Sequence, residues 1–171
     1  MFVERILDLN TVQELSRIID VTAQKLKSLA NSMDMNINVV LKPKERGGFR
    51  KICKPSFRLK QVQKSINKKI LQIIPLPPFL HGAVKGKSTI TFAQRHIGKP
   101  FILTVDIKDF YPNIHYSKIV SIFDEIGCSD SVARLLTKLC TYDGCLAQGF
   151  PTSSSLANLT LASSWCETQE R

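Results

Sequence analysis

Asp106 closes an uninterrupted apolar run, Phe101-Ile102-Leu103-Thr104-Val105, and Asp109, Phe110 and Tyr111 follow it closely. Such a run suits a strand buried on both faces. A carboxylate closing a buried strand is costly unless something pairs with it, and a divalent cation would do so. Mg2+ takes one or two carboxylates and fills its shell with substrate phosphates and water, so Asp106 beside a phosphate channel is chemically sufficient as part of such a site. The competing reading is structural, an aspartate that caps the turn after the strand.

The charge distribution points to the phosphates. The 171-residue chain carries a net charge of +10, but residues 41–100 hold fifteen basic side chains against one acid, Glu45. That stretch is therefore +14 and the remainder −4. A solvated lysine-rich helix face explains any single basic run. Sixty residues with one acid are different, because like charges so concentrated repel one another until an anion neutralises them, and nucleic-acid backbones do that by counterion release.

The elements that must position these groups follow from local pattern. With 43% hydrophobic and 22% charged residues, the chain is neither disordered nor low in complexity, and its length predicts one modest core. Thr11 and Glu14 fit a capping box, and the apolar spacing that follows predicts a helix over 11–30, ended by Asn31 and Ser32. Residues 37–42 and 49–54 read as basic β-arms around a Glu45-Arg46-Gly47-Gly48 turn. Ser56 caps a second predicted helix with a Leu59, Val62, Ile66, Ile70, Ile73 stripe, stopped by Pro75. A short helix over 88–96 precedes the apolar strand. Ser117 and Ser129 are the expected caps of two further helices, and residues 144–151 form a turn-rich segment before a last, serine-capped helix.

Other chemistries find little support. Five cysteines, with no CxxC pair and no zinc spacing to His81, His96 or His115, read as reduced thiols. Charges at Glu4, Arg5, Asp8, Glu14 and Asp20 leave no signal-peptide core. The uncharged apolar stretch over residues 71–84 is broken by Pro75, Pro77 and Pro78 and is too short to span a bilayer. The expectation is a cytoplasmic protein without a membrane partner.

Asp106-Ile107-Lys108-Asp109-Phe110-Tyr111 resembles the first palm motif of reverse transcriptases, and the run around it is similar to their retron, group II intron and phage-defence branch. Gln148-Gly149-Phe150-Pro151-Thr152-Ser153 resembles the family's QGxPxS motif and follows in the family's order. HGAVKGKST at 81–89, with His96 beyond it, resembles the segment before the palm strand, and GGFRKICKPSFRLKQVQ at 47–63 resembles the basic fingers segment. The resemblance runs over residues 37–161.

The resemblance implies an α+β fold, the fingers and partial palm of a right-hand polymerase with an incomplete palm sheet. Its expected segments are an N-terminal helical part (1–36), a basic fingers region (37–100) and a partial palm (101–171). It implies an RNA-directed DNA polymerase that adds dNTPs to a primer 3′-end by two-metal transfer. Asp106 would bind two Mg2+ ions, with the Ile107 carbonyl completing the second site. Arg50 would clamp the triphosphate with its guanidinium fork, assisted by Lys42 or Lys44. Asp109 and Phe110 would lie along the triphosphate, and Tyr111 would be a steric gate against a ribose 2′-hydroxyl, against the plainer reading of a core aromatic. Gln148 and Gly149 would pack over the nucleotide, and Pro151 and Ser153 would shape the helix beneath the template. For Gln148 alone a polar loop residue is the plainer reading. Arg58, Lys60, Lys64 and Lys68 complete the expected nucleic-acid-binding set.

The sequence departs from the family after Ser153, where only Glu167 and Glu170 are acidic. No YxDD hairpin follows, nor the thumb, and Trp165-Cys166-Glu167 breaks the apolar spacing. The expectation is a truncated product, a frameshifted reading frame or half of a split enzyme, inactive alone. Its partners would be an RNA template and primer, dNTPs, and a cognate structured RNA or a second polypeptide supplying the rest of the palm. The alternative is a non-catalytic RNA-binding module that uses the basic fingers surface.

Overall fold

The computed structural model describes residues 6–45 and 47–169, the last four as backbone only. Arg46 of the expected turn, Glu4, Arg5 and Glu170, and the side chains of Cys166 and Glu167, lie outside the described residues. The expected first helix is two: α1 (Val12–Ile19) and α2 (Ala23–Asn31). The capping box forms, Glu14 N–H donating to Thr11 Oγ1 at 3.2 Å and Thr11 N–H to Glu14 Oε2 at 3.1 Å. The break comes at Asp20, whose left-handed backbone (φ 58°) ends α1, and Thr22 caps α2 through Lys25 N–H. Aspartate tolerates that conformation better than most residues.

The basic arms form the antiparallel hairpin β1 (Ile37–Pro43) and β2 (Phe49–Pro55), in register from Ile37 opposite Pro55 to Pro43 opposite Phe49. Gly47 and Gly48 turn it at φ 88° and 79°, as expected of glycines there. Ser56 caps α3 (Phe57–Lys69), accepting from Leu59 N–H. The helix stops short of Pro75. Ile70 leaves helical backbone and a 3₁₀ turn over Leu71–Ile73 buries Leu71 and Ile74, which leaves Ile73 half out of the stripe assigned to it. Ser88 caps α4 (Thr89–Ala93), and a 3₁₀ turn extends it to His96.

The apolar run 101–105 is not a buried strand. Phe101, Leu103 and Val105 are 91, 88 and 80% exposed. Among the described residues, no backbone hydrogen bond reaches residues 100–107. Apolar composition asks for burial, but a ladder needs a neighbouring strand, and none of the described residues supplies one.

α5 (Tyr116–Glu125) starts one residue before Ser117, with His115 at its cap. Ser129 stands at the start of α6 (Asp130–Cys140), yet its hydroxyl donates to Asn10 O at 2.9 Å rather than capping the helix. A hairpin the sequence reading missed follows, β3 (Thr141–Tyr142) with β4 (Cys145–Leu146), turned by Asp143 and Gly144 at φ 56° and 72°. Ser153 is the first residue of α7 (Ser153–Gln169), and its hydroxyl donates back to Ala147 O instead of capping.

Side chains of α1, α2, α3, α5, α6 and α7 bury one continuous core that includes Leu15, Leu26, Leu59, Ile66, Phe123 and Leu136. This is a mixed helix and strand fold, and among the described residues its two ladders are each two-stranded. Among the described residues no helix is long and apolar enough to cross a membrane.

Candidate nucleotide and nucleic-acid cleft

The hairpin β1–β2 leans over the 106–112 segment and the β3–β4 turn, and a cavity of about 1380 Å³ opens between them. Its lining brings together Lys42, Lys44 and Arg50 from the hairpin, Asp106 to Tyr111 from the motif segment, and Gln148. Residues more than one hundred positions apart in sequence thus share one wall-to-wall space.

Lys44 Nζ meets Asp109 Oδ1 at 3.2 Å across the opening. Asp109 is left-handed (φ 46°), and Asn113 ties this bend down, its amide Nδ2 donating to Lys108 O and Asp109 O at 3.2 and 3.0 Å. A non-glycine residue in that region of backbone space stores strain that its surroundings must hold. Tyr111 is half-buried, with its hydroxyl 3.4 Å from Ser154 Oγ, so the ring is anchored to α7 at its far end. Lys42 and Arg50 are exposed and, among the described residues, make no ion pair. Asp106 and Ile107 are likewise exposed to the cleft.

The Gln148 loop is fastened to the hairpin rather than free. Cys53 N–H donates to Gln148 O at 2.8 Å, extending the edge of β2. A Cβ on Gly149 would sit 2.5 Å from Cys53 O, with the backbone already at φ 112°. Only glycine fits. Gly149→Ala is expected to cost about 3 kcal/mol, from left-handed strain plus the clash. Urea unfolding measures it as a lower midpoint at constant slope, and a neutral substitution would mean that hairpin and loop separate freely. Gly149, Pro151 and Ser153 do not line the cleft. Ser153 is buried and braces the loop from beneath. Arg58, Lys60, Lys64 and Lys68 are exposed along α3, also outside the cleft.

Sequence reasoning missed a second bridge. Lys51 Nζ pairs with Asp143 Oδ2 at 2.9 Å and lies 5.3 Å from the Tyr142 ring centroid. The hydrogen bond to Asp143 raises the lysine's pKa above its ordinary value. The Asp143-Gly144 pair was the available signal, because that dipeptide favours tight hairpin turns. Two thiols, Cys53 and Cys145, line the cleft. Cys53, Cys128, Cys140 and Cys145 are free, and burial pushes Cys128 and Cys140 up to about 12.

Hard oxygen donors are present at Asp106 and the Ile107 carbonyl, which suits Mg2+ delivered with a triphosphate. Among the described residues, no cluster of three or more His, Cys, Asp or Glu side chains could hold a metal ion.

A basic hairpin thus faces an aspartate-bearing segment across one cleft, with a glycine loop packed on the hairpin edge. The chain belongs to the reverse transcriptase (RNA-dependent DNA polymerase) family, whose model matches residues 40–171. It is 32% identical over 153 residues to the Retron Ec86 reverse transcriptase of Escherichia coli, covering 88% of this chain and 48% of that protein. Identity to the Retron Ec48 reverse transcriptase of Escherichia coli is 30% over 166 residues, 90% of this chain and 41% of the relative. The Retron Se72 reverse transcriptase of Salmonella heidelberg is 32% identical over 151 residues, 87% and 40%. The chain therefore spans less than half the length of these relatives.

Proposed function

We propose that the chain carries the nucleotide-binding and template-binding half of a retron-type RNA-directed DNA polymerase, with fingers at 37–100 and part of the palm at 101–171. What supports this reading is the gathering of Lys42, Lys44, Arg50, Asp106 to Tyr111 and Gln148 around one cleft. Arg50 and Lys42 hold the triphosphate, and Lys44 joins them by exchanging Asp109 for phosphate. Backbone N–H groups at Asp109 and Phe110 face the same phosphates. Tyr111, anchored at its hydroxyl, presents its ring where a ribose 2′-hydroxyl would have to go. Gln148 meets the sugar and base. Asp106 and the Ile107 carbonyl would hold Mg2+, which neutralises triphosphate charge and, as a pair of ions, stabilises the attacking and leaving oxygens.

The test is nucleotide binding. Mg2+-dependent photocrosslinking of a labelled dNTP to the chain is expected to fall at least about tenfold in Arg50→Ala, the loss of a charge-assisted bidentate contact. Tyr111→Val is expected to raise rNTP labelling toward that of dNTP. Labelling indifferent to Arg50 would sink the reading.

A second reading, an RNA-binding module without catalysis, is favoured by one observation: α3 carries Arg58, Lys60, Lys64, Lys68 and Lys69 with no acid, and all five lie outside the cleft. Lys60, Lys64 and Lys68 repeat every four residues, about 6 Å apart along the helix. Reversing these three charges is expected to weaken RNA binding for all sequences alike. The slope of log K against log salt should flatten by about 0.7 per lost contact on single strands. A salt-independent affinity would exclude both readings of this surface.

A further inference from the structure

Away from the cleft, a smaller hollow of about 330 Å³ lies between the α1–α2 corner and α3, and it shares no lining residue with the cleft. Two local features make it. Asp20 ends α1 in left-handed backbone and turns the chain into α2, and Ser65 Oγ fastens α3 to the end of α1 by donating to Ile19 O at 2.7 Å. The corner and the helix are therefore fixed walls. Lys25 lines one wall and Arg58 and Lys69 the other, all three exposed and, among the described residues, without an ion pair. Asp20 is the only acid of the lining, so the hollow stays net positive. Phe57, the first residue of α3, lies in the same lining with 76% of its surface exposed.

An exposed phenylalanine gains nothing from the core, and three unpaired cations around it repel one another. Both costs are offset by one class of ligand. A base stacks on an aromatic face whatever its sequence, and the flanking phosphates take the cations. Arg58 and Lys69 stand eleven residues apart, about 16 Å along the helix axis, so they reach different phosphates of one strand. We infer that this hollow is a second nucleic-acid site, which holds a single-stranded segment outside the cleft with one base on Phe57 and phosphates of the same strand at Lys25, Arg58 and Lys69. A duplex keeps its base faces stacked internally and cannot offer one to Phe57.

Fluorescence anisotropy of the whole chain with labelled twelve-nucleotide RNA and DNA strands, and with duplexes of equal length, tests this. Phe57→Ala is expected to weaken single-strand binding about tenfold, to leave duplex binding within about twofold, and to leave the salt slope unchanged. Phe57→Trp, which keeps a ring, is expected to retain affinity. The triple change Lys25→Gln, Arg58→Gln, Lys69→Gln is expected to flatten the single-strand salt slope by about 2. A larger loss on RNA than on DNA assigns the strand as RNA, and equal losses assign recognition to base and phosphate alone. The site is refuted if Phe57→Ala affects strand and duplex equally or not at all, or if the triple variant keeps its slope. Arg50→Ala is expected to leave the Phe57 dependence intact, so failure of nucleotide binding in the cleft and failure of this site read out separately.

Discussion

Residues 1–171 alone are expected to extend a primed RNA template at least about 1,000-fold more slowly than a full-length retron relative, several kcal/mol of lost transition-state stabilisation. Two-metal transfer needs carboxylates on both ions, and the acids lining the cleft are Glu45, Asp106, Asp109 and Asp143. Asp109 is held by Lys44 and Asp143 by Lys51, so Asp106 is the cleft aspartate without a cation at its side among the described residues. Beyond Ser153 the sequence holds no aspartate. Incorporation of labelled dNTP measures the rate. Extension that Asp106→Ala abolishes would show that a complete site assembles, for instance from two copies, and would overturn the expectation.

The second large effect concerns association. Residues 101–105 expose four strongly apolar side chains on a backbone whose N–H and C=O groups have no partner among the described residues. Such a segment is a template for pairing with another chain, and its nearest gatekeepers are Lys99, Pro100 and Asp106. The net charge of +10 opposes association, but most of it lies over 41–100 and is screened beyond about 10 Å at 0.1 M salt. Sedimentation is expected to show reversible self-association at micromolar concentration. Leu103→Lys, at an exposed position, is expected to weaken it at least about tenfold while leaving the melt unchanged. A clean monomer across concentration and salt would mean that another part of the chain covers the run.

What the sequence made legible is local. Thr11 with Glu14, Ser56 and Ser88 each announce a helix through a hydroxyl and a nearby N–H, and the Gly47-Gly48 turn announces a hairpin. Arg50, Asp106, Tyr111 and Gln148 are legible through their motifs and Lys42 only as a helper of Arg50, and all five line one cavity. What was not legible depends on partners distant in sequence. The apolar text of 101–105 states a demand for burial and says nothing of who meets it. The Lys51–Asp143 pair joins residues 92 positions apart, and two-residue strands such as β3 and β4 are too short to carry a period. Gly149 reads as a loop glycine until the Cys53 carbonyl is seen beneath its missing side chain. The end of α1 at Asp20 needed a left-handed aspartate, which helical periodicity cannot reveal.

The Lys44–Asp109 pair spans 3.2 Å across the mouth of the cleft, so an anion that reaches Lys44 does so by displacing a carboxylate. An exposed ion pair of this kind is worth about 0–1 kcal/mol, so the resident carboxylate is a weak competitor that any entering anion must replace. An anion with one charge wins Lys44 only by giving up what Asp109 already supplied, for almost no net gain. On the reading proposed above, an anion with three linked phosphates trades one charge at Lys44 and keeps the rest for Lys42 and Arg50, which pair with no carboxylate among the described residues. The strained bend at Asp109 thus keeps Lys44 beside a carboxylate until an anion replaces it, a displacement that costs only about 0–1 kcal/mol.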